Sequence, residues 1–384
     1  MIDFKKIFYM GVLLLSAAFL FVGNRIASDN NLDFLSEIEP LPIFSAVITD
    51  IVGRTEETQE FGPDFSVTSI FIDFYARITS RGDLHGETVF AEFNASGFLE
   101  IDEREVEVGD RVLLLYNEHM GTYIFMEYQR LNHIIALAAV FFVLVVTFGR
   151  SKGFNSVVAL GFICMSIFLV FIPAILSGHN VYILTAIICT YAIISTLLIA
   201  IGPNKKATGA ICGCLGGVIF AGLLMFVMDG LMHLTGFVDH ETRSLLHIPT
   251  EYPINIRAII FAGVVIGSTG AIMDVAMSIS SSLWEVRRAG TTGFRTLFRA
   301  GIEIGKDILG TMLNTLVLAY IGSSLSVLLL ITAHATSALE LFNMEMIIVE
   351  FLRALVGSFG MFLTIPLTAA VCGWLYSRNH ALRV

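Results

Sequence analysis

The chain has 384 residues, of which 55% are apolar and 15% charged, and its mean hydropathy is +0.79. Soluble domains run near 45–50% apolar even with glycine counted, and about 25% charged. This composition excludes a disordered chain, a collagen-like chain and an ordinary soluble enzyme, and it points to a membrane protein. The net charge of −10 is local: residues 24–130 hold 21 Asp/Glu and 7 Arg, whereas the rest holds 12 acids and 16 Lys/Arg. The acidity therefore marks one water-exposed segment. No basic patch with interleaved aromatics suggests nucleic acid.

The first apolar run, 7–23, follows Lys5 and Lys6. It reads as a retained anchor within residues 1–24, the alternative being a signal peptide cut near Ala27-Ser28. Residues 40–128 read as a small β-domain. Ser66–Ile78, Glu87–Phe93 and Arg111–Tyr116 are rich in β-branched and aromatic residues, and Arg81-Gly82-Asp83, Ser96-Gly97 and Val108-Gly109-Asp110 supply turns between them. Five or six short strands suit a barrel like the oligonucleotide/oligosaccharide-binding (OB) fold. Glu100–Glu107 holds five acids in eight residues, either a solvated face or a cation-attracting patch.

Seven further apolar runs fill 131–378: 133–148, 154–176, 181–201, 207–228, 257–283, 307–331 and 346–376. A span needs about 20 mostly apolar residues. The fold class is thus an all-α polytopic membrane protein of about eight spans with an extracytoplasmic β-domain. With the N-terminus inside, alternate ends place thirteen Lys/Arg on the inside, from Lys5 and Lys6 to Arg378 and Arg383. Only Arg243, Arg257 and Arg353 fall on the outside beyond the acidic segment. That bias puts both termini in the cytoplasm and residues 24–130 outside. The basic segment 284–306 carries Arg287, Arg288, Arg295 and Arg299 beside Trp284, Phe294, Leu297 and Phe298, and reads as an amphipathic helix on the inner leaflet. The five cysteines lie in apolar runs, which argues against a disulfide framework. Cys212-Gly213-Cys214 reads as packing in a glycine-rich helix, with a soft-metal pair as the alternative.

Candidate chemistry centres on the span carrying Asp274. Gly263 and Gly267 form a Gly-x-x-x-Gly pair, with Gly270 and Ala271 beyond, so small residues allow a neighbouring backbone to approach. A carboxylate at mid-span costs about 2.5–3.5 kcal/mol on insertion scales and must face protein or water. Intramembrane acids mark proton or ion paths; the alternative is an acid that bonds a neighbouring helix. The following span offers Asp307, Thr311, Asn314 and Thr315 on one face as its partners. Lys306 and Asp307 also suit a cytoplasmic boundary. Glu350 and Arg353, at i and i+3, suit an interfacial ion pair, and Pro366 should kink the last span. In the outer loop 229–256, His233, His240 and His247 are spaced by seven, which suggests a transition-metal site. Gly236 and Pro249 interrupt any single helix there. No P-loop, His-Glu-x-x-His or Gly-x-Ser-x-Gly motif is present, so neither an enzyme nor a cofactor is expected.

Two stretches carry a family resemblance. Gly270-Ala271-Ile272-Met273-Asp274-Val275-Ala276-Met277-Ser278-Ile279, with Lys306-Asp307-Ile308-Leu309-Gly310-Thr311-Met312-Leu313-Asn314-Thr315-Leu316, resembles the YibE/F family of multi-pass bacterial membrane proteins. That resemblance implies a bacterial cell-membrane location and transport or efflux. Asp274 followed by Trp284-Glu285-Val286-Arg287-Arg288 is also similar in layout to the proton-coupled SecD/SecF and RND export subunits, from which the chain departs by extra spans and a small outer domain. The expected function is ion- or proton-coupled secondary transport of a small solute or ion, compatible with a homo-oligomer. The alternative is a membrane scaffold that recruits partners through its β-domain.

Overall fold

A computed structural model describes residues 4–28, 42–62, 65–95, 104–118, 121–238, 240–248, 252–334 and 337–377. It divides into two compact units, 36–144 on one hand and 1–35 with 145–384 on the other.

In the first unit, β1 (Ile43–Gly62), β2 (Phe65–Ile78), β3 (Thr88–Ala95), β4 (Arg111–Asn117) and β5 (Thr122–Tyr128) form a closed barrel. Their order is β1-β2-β3-β5-β4, and β4 returns to β1. The β3–β5 pair is parallel and the others are antiparallel. Alternation explains the inside: Ile72, Phe74, Ala76 and Ile78 are buried on β2, while Tyr75 and Arg77 face out. Phe74 and Phe93 fill the interior beside Ala46, Ala76 and Ala91, the large-and-small mixture that a small barrel requires. Register shifts at Ile48/Asp50 and Ile51/Gly53 bend β1, so that one strand serves both β2 and β4.

β1, at 20 residues, is far longer than the short strands expected, and it lay outside the runs singled out in the sequence. Glu57–Gly62 pair only with Phe65–Ser69, a two-stranded ribbon continuing beyond the barrel. Its polar sequence, Arg54-Thr55-Glu56-Glu57-Thr58-Gln59-Glu60, hides the strand because no core demands apolar alternation there. Arg54 grips Glu105 with two bonds, Nε to Oε2 at 2.8 Å and a second nitrogen to Oε1 at 2.7 Å, and also meets Glu56 at 2.6 Å. Part of the acidic run is thereby tied to β1, and beside it Val106 enters the core.

α1 (Phe4–Ser28) precedes the barrel. After it come α2 (Leu131–Ser166), a π-helical turn (Ile167–Phe171), α3 (Ile172–Leu176), α4 (Val181–Ile201) and α5 (Lys205–Met232). Then follow α6 (His240–Ser244) with a 3-10 turn (Leu245–His247), α7 (Ile256–Arg288), α8 (Phe294–Ser323), α9 (Leu325–His334), α10 (Ala338–Leu341) and α11 (Glu345–Ser377). Among the described residues seven helical runs are long and apolar enough to cross a membrane. The longest, Leu131–Leu176, is 46 residues, and it breaks at Arg150 (φ 49°, ψ −131°). There the chain folds so sharply that a side chain at Gly153 would strike the Val145 carbonyl. The links 177–180 and 202–204 end in helix caps, where Asn180 and Asn204 accept from the amides of Ile183 (3.2 Å) and Ala207 (3.0 Å).

The centre of the second unit is the seam between α5 and α11. Gly209, Gly213 and Gly217, at steps of four, lie against Cys372, Thr368 and Thr364, also at steps of four. Any Cβ on these glycines would overlap those side chains, so the two backbones approach as in a small-xxx-small pair. α7 and α8 complete the bundle through Val264, Ile272, Val275, Ile279, Leu283 and Leu297, all buried. α11 continues as a helix through Pro366. At one end of the bundle Lys205 donates to the Leu375 carbonyl (3.2 Å) and Arg287 to that of Tyr376 (3.0 Å). These cations satisfy the last turn of α11 and oppose its dipole. Ser280 ties the same end together, donating to the Lys206 carbonyl (2.8 Å) with its oxygen 2.9 Å from the Tyr376 hydroxyl.

Two expectations change in detail. α8 starts at Phe294, so the span expected over 307–331 begins earlier, and 294–306 are its first turns and not a separate surface helix. The reason is packing: Leu297, Gly301 and Gly305 recur every four and are buried, with Gly301 against Ala369 and Leu283 and Gly305 against Ile365. Meanwhile α1 is docked within the unit. Ser177 donates to the Ala27 carbonyl (2.5 Å), Phe19 stacks on Tyr191 (4.1 Å) and Tyr9 donates to Asn155 (3.1 Å).

Gly213→Val should lower stability by about 1–3 kcal/mol, the cost of overpacking a tight seam. Gly230→Ala, where an added methyl meets nothing within 4 Å, should be neutral; thermal unfolding followed by intrinsic fluorescence checks the pair. Arg54 holds the Glu105 carboxyl below its ordinary value of 4.5 through their hydrogen bond. A depressed folded pKa stabilises above the unfolded value and is lost as pH falls below it. Arg54→Gln should therefore weaken the barrel at neutral pH and flatten its loss of stability below about pH 4.5, read by amide hydrogen exchange of β1.

Candidate functional site

α7 has two unlike faces. Val264, Val265, Ser268, Thr269, Ile272, Val275, Ala276, Ile279 and Ser280 are buried in the bundle. Gly263, Gly267, Gly270, Asp274 and Met277, at steps of three and four, are exposed on the other side. Asp274 lies near the middle of this 33-residue helix. Among the described residues it has no hydrogen bond or ion pair.

Two contacts fix the antiparallel register of α7 and α8: a Cβ added at Gly267 would stand 3.0 Å from the Tyr320 hydroxyl, and Gly301 lies against Leu283. Asp274 falls between them, at the depth of Thr311. Asp307, Thr311, Asn314 and Thr315 are all exposed on α8, as is Gly310. The Thr311 and Thr315 hydroxyls turn back to their own helix, donating to the carbonyls of Ile308 (2.9 Å) and Thr311 (3.0 Å). Asn314 has no hydrogen-bond partner among the described residues. Thus the polar residues picked out in the sequence are exposed, Thr311 lies at the depth of Asp274, and no direct bond joins them. At α8's first half, Lys306 pairs with Glu303 (2.8 Å).

The glycines expected to pack are open. Gly263 and Gly270 have no atom within 4 Å of a built Cβ, and Gly267 meets only Tyr320. The close approach is made by Gly209, Gly213 and Gly217 on α5 instead, in the glycine-rich helix where Cys212-Gly213-Cys214 was read as packing.

The outer-loop histidines sit on different elements. His233 is the left-handed cap of α5 (φ 52°), His240 opens α6 with its side chain outside the described residues, and His247 closes the 3-10 turn. Among the described residues no three His, Cys, Asp or Glu are grouped to hold a metal. The carboxylate at work in this loop is Glu345. It accepts from the amides of Thr235 (2.8 Å) and Gly236 (2.6 Å) and from the Thr235 hydroxyl (2.6 Å), binding the turn after α5 to the start of α11. Gly236, at φ +96°, gives the turn its shape. Glu350 and Arg353 form the anticipated pair at 2.6 Å, half-buried on α11.

These elements define a multi-pass membrane protein that carries a small β-barrel. Residues 137–378 match the family model described as YibE/F-like protein, and the chain belongs to that family. No curated protein and no solved structure matches it.

Proposed function

We propose that the protein is an ion- or proton-coupled secondary transporter or exporter of a small solute. One observation carries this reading: an unpartnered carboxylate at mid-depth of a membrane-length helix, on its open side. Asp274 faces a cost of about 2.5–3.5 kcal/mol in lipid, while the opposite face of α7 is tightly packed. The open side therefore meets water or protein. Thr311 and Asn314 at the same depth would line a polar path, and Asp307 would stand at its entrance. A homo-oligomer whose open faces meet around such a path satisfies the same need.

The remaining parts support this arrangement. The break at Arg150 favours eight crossings, with Leu131–Leu176 contributing two. Lys205, Lys206 and Arg287 converge on one end of the bundle, where α5 begins and α7 and α11 end. By the positive-inside rule that end is read as cytoplasmic, which supports cytoplasmic termini and an extracytoplasmic segment 24–130 in a bacterial cell membrane. The β1-β2-β3-β5-β4 order, closed by β1–β4, supports an OB-like barrel.

Asp274→Asn keeps size and hydrogen bonding but cannot titrate. It should insert and purify as wild type and lose proton-coupled flux in liposomes. Flux at the wild-type level would make the acid structural and favour the scaffold reading. For orientation, a cysteine introduced at Arg295 should resist impermeant thiol reagents in intact cells and react after lysis. Reaction in intact cells would reverse the assignment.

A further inference from the structure

The first unit is strongly acidic, yet three of its few arginines meet in one place. Arg104, Arg111 and Arg130 line a cleft of about 460 Å³ with His133, Tyr128 and Asp110. The cleft lies between the crossing before β4, the start of β4, the end of β5 and the first turn of α2.

Tyr128 organises it. Its hydroxyl donates to the Arg104 carbonyl (2.6 Å), and the Arg104 and Arg130 guanidinium carbons stand 5.8 and 5.7 Å from its ring centre. Both guanidinium groups are thus held against one aromatic ring. Burial raises the Tyr128 pKa, so the phenol stays neutral beside them. The acids match the arginines in number and are shared unevenly among them. Arg130 meets Glu127 at 2.6 Å, and Arg104 stands 3.5 Å from Asp110 and 3.7 Å from Glu107. Arg111 is exposed and has no ion-pair partner among the described residues. Two of the acids take Arg104 and one takes Arg130, which leaves the forked donors of Arg111 facing the open space.

Position narrows the ligand. α2 begins at Leu131, and Ile134 and Ile135 open its apolar run. Arg130 and His133 are therefore within one helical turn of where the hydrocarbon would begin, the level of lipid phosphates. The positive end of the α2 dipole adds to the potential there. Elsewhere on this unit, net negative charge repels anions, so attraction is confined to the cleft.

We propose that this cleft binds a phosphoryl oxyanion, which the guanidinium groups of Arg111 and Arg130 grip in forked geometry. The two sources of that chemistry are a phospholipid headgroup and free phosphate. Native mass spectrometry of the full chain in an uncharged glycoside detergent tests it, with phosphatidylglycerol as the lipid probe and a diacyl glycolipid as the uncharged control. Arg111→Gln and Arg130→Gln should each lower phosphatidylglycerol retention about fivefold, and the double variant more. The glycolipid should be unaffected, and millimolar inorganic phosphate should displace the retained lipid. Unchanged lipid retention, with inorganic phosphate binding by calorimetry lost in the variants, would assign the cleft to free phosphate. Equal binding of both probes by wild type and variants would overturn the proposal, as would parallel loss of the glycolipid. Arg111 is exposed and has no ion-pair partner among the described residues, so Arg111→Gln alone decides the matter if the double variant does not fold.

Discussion

The membrane unit depends on how closely α5 and α11 approach. In lipid, apolar side chains gain little by leaving a medium as apolar as themselves, so helices associate by packing and by hydrogen bonds. The glycines of α5 remove side chains where α11 presents Thr364, Thr368 and Cys372. Small meets small, and dispersion contacts extend along the seam. α7 and α8 then pack on a pair already fixed in register. The same economy shows at the end of α11, where Lys205 and Arg287 cap carbonyls that lipid could not satisfy.

That close packing gives α7 its asymmetry. One face is spent on the bundle, and the other is left with Gly263, Gly267, Gly270 and Asp274. Small residues and a carboxylate are poor lipid contacts, so the pattern has meaning only with something beside it. Within the chain, α8 brings its own polar residues to that depth and leaves them open as well. The barrel solves a different problem: it buries its apolar side chains by closure, and two bulges let β1 supply both ends of the cycle.

Much of this was legible in the residues, unevenly. Long apolar runs with short polar links revealed the spans, because lipid punishes any other pattern. Asp274, Thr311 and Asn314 stood out for the same reason, but their relative depth follows only from the contacts between α7 and α8. β1 was hidden because Arg54–Thr58 are exposed on both faces and show no alternation. β5, as short as β4, was hidden because it shows no alternation of buried and exposed positions. The start of α8 was misjudged because arginines at its exposed face outweighed Leu297, Gly301 and Gly305, whose role appears only when α11 lies against them. The Arg104–Arg111–Arg130 cleft was invisible because its members come from separate elements and the local composition is acidic.

The docking of α1 bears on the order in which the protein is made. Ala27 is held by Ser177, 150 residues later in the chain. At translation rates of about 5–20 residues per second, α1 waits roughly 8–30 seconds for that partner. The barrel, built entirely from intervening residues with its own core, is complete in sequence before the wait ends. Its folding can thus precede closure of the helical unit, and the first helix serves as a tether long before it becomes a packed part of the bundle.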